Sequence, residues 1–533
     1  MRSELGARGG AVGPVLALLL SAGACGEKDR PPAYNVAAPR IPHERLPPTT
    51  AAFVEGPCAI RVEGRATQCG TVTVPEAAGS ENRIELAITR VFSDARDPKA
   101  EPVFYLEGGP GAGSTDSVDF LYPVFEPVAP DRDFVFFDQR GTGSSNPLLQ
   151  CYESGAIDEA LSACFKRLSD ESNLDHYNSV ENARDVDEIR QALGYDTINL
   201  YGISYGTRLG LTVMRDFPKA VRASVLDAVV PLQADLLAEV GRNGYASFAE
   251  LVETCERDDD CNEAYPDPLG QLLQIVETLN DEPADVNGYP LSGDTVLVVV
   301  FNLLYSPHTL ALVPLMIDDI AGGDYALFEQ LEPVASSGGI AFGMHLSLHC
   351  AEEIPFSSAE SFETFDAEVP AILRAGLSGR DYLMWCESWP VAQAAGSENE
   401  PVQSELPTLV MAGQFDPITP PHFSEAVFED LTNAEYILVL GESHGASAGE
   451  CGSRLARQFF SEPDEPLQDG CLDDQGGLDF QSWGPPRRAA RRVSSRLVLQ
   501  TERPDPEQLQ RAIDDLSRRL RQKAFAPSIR FKR

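Results

Sequence analysis

The sequence predicts an α/β fold, a mostly parallel sheet carrying an inserted, mainly helical cap. Three features of the 533-residue chain lead there. Apolar runs of strand length alternate with amphipathic helical stretches over residues 51–230. The central runs end directly in turns rich in glycine and aspartate. The alternation stops over residues 231–400, where helical patterns dominate, and resumes over 401–473. Strands that alternate with helices bury both faces of a sheet, which is the habit of parallel pairing.

The elements follow in order. Residues 69–74 and 84–92 read as strands, the second alternating apolar and polar side chains. Residues 102–106 (PVFYL) are a buried strand that runs into Glu107-Gly108-Gly109-Pro110-Gly111-Ala112-Gly113-Ser114. Such a loop leaves backbone N–H groups unobstructed and able to hold an anion. Residues 133–137 (DFVFF) end in the turn DQRGTGSS, expected at the same edge. Residues 179–193 form an amphipathic helix, with Val186, Ile189 and Leu193 on one face and Gly194 closing it. Residues 198–218 then read as strand, glycine turn and helix, and residues 221–226 as the next strand, ending at Asp227. Within the insertion, residues 237–254 and 294–304 are long helical patterns. A strand over 406–413 ends in Gln414-Phe415-Asp416-Pro417. A helix over 421–431, a strand over 435–440, the turn Gly441-Glu442-Ser443-His444 and a helix over 452–460 complete the pattern.

Composition narrows the setting. A hydrophobic content of 43% supports a large core, and a net charge of −40 argues against nucleic acid as a partner, which needs a basic surface. Arg2 and Arg8 precede an apolar run over 11–20, too short to span a bilayer, followed by Ser21-Ala22-Gly23-Ala24-Cys25. Residues 1–25 therefore read as an export signal with a lipobox-like end. Cys25 is the expected lipidated residue, and so a membrane anchor for a periplasmic or cell-envelope protein. Ordinary signal cleavage nearby is the alternative. Residues 26–50 are a Pro-rich tether. Setting Cys25 aside leaves ten of the eleven cysteines, an even number that suits disulfides in an exported chain. Neighbour pairing gives Cys58–Cys69, Cys151–Cys164, Cys255–Cys261, Cys350–Cys386 and Cys451–Cys471. No Cys-x-x-Cys or His-rich cluster suggests a metal, and no cofactor is expected. Residues 474–533 form a basic C-terminal extension, carrying over 485–533 14 Lys and Arg against 5 Asp and Glu.

The chemistry centres on Gly202-Ile203-Ser204-Tyr205-Gly206, a G-x-S-x-G match placed between a strand and a helix. A sharp turn there exposes the serine hydroxyl, and the helix points its positive end at it. The match alone is weak, because Gly441-Glu442-Ser443-His444-Gly445 fits it too, without an immediate helix. A serine nucleophile needs a base and an acid. Asp416 and His444, each after a strand, complete the order Ser, Asp, His. The other histidines (His43, His176, His308, His345, His349 and His422) are expected on the surface, in the tether or in the cap.

Taken together, LEGGPGAGS, DQRGTGSS, YGISYGTRLGL, VLDAVVP, AGQFDPITP and GESHG resemble the prolyl iminopeptidase and tripeptidyl aminopeptidase family of α/β-hydrolases, over about residues 55–473. The resemblance implies Ser204, Asp416 and His444 as the catalytic triad, and the backbone N–H groups of Gly109 and Tyr205 as the oxyanion hole. Glu107 stands where prolyl iminopeptidases carry His, which moves the match toward the exported tripeptidyl type. It also implies peptide substrates entered at a free N-terminus, with cap carboxylates holding the amine; Glu352 and Glu353 are the candidates here. A small-molecule esterase with the same triad and a catalytically idle surface binding protein are the competing expectations.

Overall fold

The computed structural model describes residues 51–335, 339–472, 478 and 480. Cys25, the signal, the tether and most of the C-terminal extension lie outside them. Nine strands form one sheet: β1 (Phe53–Gly56), β2 (Thr67–Pro75), β3 (Arg83–Val91), β4 (Val103–Leu106), β5 (Phe134–Phe137), β6 (Ile198–Ser204), β7 (Val221–Val229), and, after a short hairpin of β8 (Ala284–Val286) and β9 (Tyr289–Leu291), β10 (Thr408–Gly413) and β11 (Ala434–Val439). The spatial order is β1-β2-β3-β5-β4-β6-β7-β10-β11. The first three strands pair antiparallel and β3 meets β5 antiparallel; from β5 to β11 every pair is parallel. The mixed edge follows from the short connections between β1, β2 and β3, since parallel neighbours need a long crossover.

The central strands are buried on both faces, so they read as unbroken apolar runs rather than alternations. Phe104 and Leu106 of β4 pack into one core with Val135, Phe137, Leu200 and Val410. Val103 and Tyr105 pack into the opposite core with Phe134, Phe136, Tyr201 and Met411. Each such side chain contributes about 1.5–3 kcal/mol through removal from water. All six parallel strands end at one edge, where open α/β sheets place their ligands.

Between β7 and β10 the chain is almost wholly helical, from Leu236–Arg257 to the turn Gly396–Asn399. This segment has its own apolar cluster, running from Phe248 to Leu377 and joined by Phe415 and Phe480. The helix Phe342–Glu352 behaves differently. Phe342, Met344, Leu346, Leu348 and Cys350 pack into the sheet's core together with Trp385 and Trp389. The insertion is thus rooted in the sheet by this helix, which faces the strand edge. Among the described residues, no helix is long and apolar enough to cross a membrane.

Candidate active site

β6 ends at Ser204, whose φ of 60° and ψ of −131° mark the strained turn into the helix Tyr205–Asp216. The tightness has a visible cause. A Cβ on Gly206 would meet the Leu106 carbonyl oxygen at 1.9 Å, so only glycine fits. The loop after β4 passes over the serine: a Cβ on Gly108 would lie 3.1 Å from Ser204 Cβ. Asp138 holds that loop to the next one by accepting from the N–H groups of Ser114 (2.7 Å), Thr115 (2.9 Å) and Ser144 (2.7 Å). Arg140, fully buried, anchors the DQR turn through two 2.8 Å bonds to Asp185.

Asp416 and His444 come together at the ends of β10 and β11. His444 Nδ1 lies 2.8 Å from Asp416 Oδ2. Asp416 is buried and further accepts from Ile418 N–H (3.0 Å), Thr419 N–H (2.8 Å) and Thr419 Oγ1 (2.7 Å). A carboxylate so fully bonded orients the imidazole with Nδ1 protonated and leaves Nε2 as the acceptor. Burial pushes the His444 pKa down, but the charge of Asp416, its hydrogen bond and the charge of Asp227 outweigh this and hold it above 6.5. The Tyr305 ring packs edge-on against the His444 ring at 5.1 Å.

One cavity is bordered by five of the sequence candidates, while Asp416 and His444 stand behind its wall. Ser204, Tyr205, Gly109, Glu352 and Glu353 all border it, as do Thr419 and Tyr305, which touch His444. Its walls add Val230, Leu236, Leu237, Val240, Leu348 and Ile418. The second G-x-S-x-G match plays another part. Ser443 is buried and its Oγ lies within bonding reach of the carbonyls of Leu304 (2.5 Å) and Phe415 (3.0 Å), so it fastens the insertion to the histidine turn.

The acidic pair, at the end of the helix Phe342–Glu352, is held from the helix that follows Ser204. Arg208, one turn after Ser204, reaches Glu352 Oε2 at 3.1 Å and Glu353 Oε1 at 3.0 Å. Glu352 also accepts from Ser179 N–H and Ser179 Oγ, both at 2.6 Å, so both its oxygens are engaged inside the protein. The two candidate carboxylates therefore differ in their surroundings. Among the described residues, Arg208 is the one cation paired with Glu353. Burial pushes its pKa up, Arg208 draws it down, and the charges of Glu352 and Asp235 raise it again, to about 8. The disulfide Cys350–Cys386 ties this helix to Asp381–Glu387, and the other four neighbour pairs are bonded as well.

Sequence reasoning missed several wall residues. His345 and His349, which fall in the cap as one of the expected settings and were given no role, lie on the cavity one turn apart. His345 bonds the Pro110 carbonyl through Nδ1 (3.0 Å) and Tyr382 through Nε2 (2.6 Å). Burial drives His345 down to about 4 and His349 well below 6.5, so both are neutral at pH 7. The signal was present in FGMHLSLHCAEE, where residues 345, 349, 352 and 353 share one helical face. Arg208 too stood in plain sight, an arginine in an apolar helix.

This geometry defines the class: a hydrolase of the α/β-hydrolase fold. Comparison with known proteins narrows it. Residues 101–261 match the family model for the alpha/beta hydrolase fold, and residues 375–471 match that for TAP-like proteins. The tripeptidyl aminopeptidase of Streptomyces coelicolor is 33% identical over 403 residues, covering 66% of this chain and 72% of the relative. The serine protease Hip1 of Mycobacterium tuberculosis is 24% identical over 417 residues, covering 68% and 78%. A crystal structure of proline iminopeptidase from Mycobacterium smegmatis aligns with 74% of this chain and 98% of its own, at 16% identity and a TM-score of 0.37. The chain belongs to the tripeptidyl aminopeptidase-like family of α/β-hydrolases, which are serine hydrolases.

Proposed function

We propose that the protein is an exported serine aminopeptidase that releases short peptides or single residues from free peptide N-termini. One observation carries the exopeptidase reading: two buried carboxylates, Glu352 and Glu353, share a single guanidinium beside Ser204. Arg208 is the one guanidinium shared by both carboxylates, so Glu353 ionises fully only when a second cation arrives, which an α-ammonium group supplies. Glu352 is consumed in holding Arg208 and Ser179, so Glu353 receives the amine. A bound ammonium also draws the proton from Glu353, whose pKa near 8 makes it largely neutral in the empty site at pH 7.

Ser204 Oγ attacks the scissile carbonyl while His444 Nε2 takes its proton, and Asp416 stabilises the imidazolium. The N–H groups of Gly109 and Tyr205 receive the oxyanion, each donor worth about 3–4 kcal/mol in related chemistry. The imidazolium then protonates the departing amine. Water, deprotonated by the same histidine, resolves the acyl-enzyme. The apolar wall of Val230, Leu236, Leu237 and Val240 suits an uncharged side chain near the cut. Five disulfides fit an oxidising compartment outside the cytoplasm. Lipidation at Cys25 is part of the same proposal.

The test compares three substrates of one peptide sequence: a free-amine anilide, its N-acetyl form and a plain ester. Preference for the free amine, with labelling of Ser204 by a fluorophosphonate, is the expected result. Equal cleavage of blocked and free anilides makes the enzyme an endopeptidase or esterase instead. A protein that no probe labels is the idle binder.

A further inference from the structure

We propose that Asp227 is a positioning residue for His444: it fastens the histidine's turn to the sheet and sets a second carboxylate within electrostatic reach of the imidazole. The inference rests on the serine-hydrolase reading above. β7 lies between the strand that ends in Ser204 and the strand that leads to Asp416, and Asp227 stands in register with Ile203 and Met411. It is wholly buried. Its Oδ2 accepts from Ser447 N–H at 2.7 Å and from Ser447 Oγ at 2.5 Å. Ser447 is three residues past His444, and its Oγ, having given its proton to Asp227, accepts from Tyr201 OH at 2.8 Å. The chain Tyr201–Ser447–Asp227 thus pins the turn that carries the base.

An anchor alone does not need a charge here. A buried carboxylate is costly, and a serine or asparagine could accept the same two bonds. Yet Asp227 Oδ1 is buried with no hydrogen-bond partner among the described residues. Four titratable groups act on it or feel it: His444 after β11, Asp416 after β10, Tyr201 on β6 and Tyr105 on β4. Burial, opposed by the two Ser447 bonds and by His444, raises its pKa to about 6. At neutral pH it is therefore ionised, and its charge favours the imidazolium that forms as Ser204 attacks.

The experiment is a pH profile of kcat/KM for the full-length enzyme and three variants. Asp227→Asn keeps an oxygen for both Ser447 bonds but loses the charge. It is expected to move the acid limb down by about half a pH unit or more and to lower the plateau about tenfold. Tyr201→Phe loses one bond and no charge, and its acid limb stays in place. An Asp227→Asn enzyme with the wild-type acid limb overturns the proposal. Should that variant fail to fold, Ser447→Ala decides. It removes one donor from Asp227, which then stays neutral to higher pH, so activity lost near pH 6 returns on the alkaline side. A loss equal at every pH is that of a mere anchor, and also overturns it. Failure of the underlying reading shows separately, in a wild-type enzyme whose Ser204 takes no fluorophosphonate.

Discussion

Glu353→Gln tests the amine site most sharply. The substitution keeps the volume and an acceptor oxygen within reach of Arg208, which lies 3.0 Å from the carboxylate, and removes the charge. A buried hydrogen bond to a charged group is worth about 1.5–3 kcal/mol. At about 1.4 kcal/mol per decade, kcat/KM for a free-amine tripeptide anilide falls about ten- to a hundredfold. The N-acetyl substrate brings no charge to the site, so its slower cleavage is left nearly unchanged. The informative quantity is therefore the ratio of the two rates, which collapses toward one. Glu352→Gln behaves differently. Glu352 is bonded three times over, by Ser179 N–H, Ser179 Oγ and Arg208, so loss of its charge breaks a buried ion pair and costs about 3–5 kcal/mol of stability. It is read as a lower unfolding midpoint. If Glu353→Gln slows both substrates by the same factor, the carboxylate supports the structure and does not bind the amine.

Three further outcomes are expected. Ser204→Ala abolishes turnover and fluorophosphonate labelling, whereas Ser443→Ala retains labelling, since the Ser443 hydroxyl is spent on the Leu304 and Phe415 carbonyls; the reverse pattern in intact-mass spectra would exchange the two assignments. His444 acts as a base only when neutral and its pKa lies above 6.5, so kcat/KM falls as pH drops through that value; a profile flat down to pH 5 contradicts this. Opening Cys350–Cys386 by a double Cys→Ser change costs about 2–4 kcal/mol and loosens Glu353, so selectivity for the free amine falls with stability; non-reduced peptide mapping of the wild type shows no free thiol among the ten bonded cysteines.

Much of the fold was legible because its signals are local. Strands buried on both faces need unbroken apolar runs, and a strained turn needs glycine, so β4, β5, β6 and β10 and the Ser204 elbow stand out in the sequence. Ser204, Asp416 and His444 stood out as candidates because each closes or follows a strand, two of them strands buried on both faces. β1 was not, for Phe53–Gly56 is a four-residue edge strand with two exposed positions. The cavity wall escaped for another reason. His345 and His349 share one helical face with residues 352 and 353, but that spacing alone does not say what the face meets. Their place depends on a contact between segments far apart in the chain: Gly111 O accepts from Ala341 N–H at 2.8 Å, bringing the start of that helix onto the glycine loop. The division of labour between Glu352 and Glu353 was equally hidden. It is set by Ser179, on a helix of the sheet's other neighbourhood, more than 170 residues away.

The arrangement separates chemistry from recognition. Neighbouring parallel strands carry Ser204, Asp227 and the approach to Asp416, so their relative positions are fixed by backbone hydrogen bonds of the sheet. The insertion supplies Glu353, His345, His349, Tyr305 and most of the apolar wall. Arg208 joins the two sets, because it belongs to the nucleophile's helix yet binds the insertion's carboxylates. The distance from the proposed amine site to Ser204 is therefore set by one turn of helix and one arginine side chain, about 5.4 Å of rise plus the reach of the guanidinium. A ruler of that kind counts residues from the N-terminus only while Arg208 holds both glutamates. Arg208→Lys, which keeps the charge but cannot bond both carboxylates in the same fork, should accordingly blur the position of the cut. Mass spectrometry of products from a peptide ladder reads this directly: mixed product lengths support the ruler, and a single unchanged length refutes it.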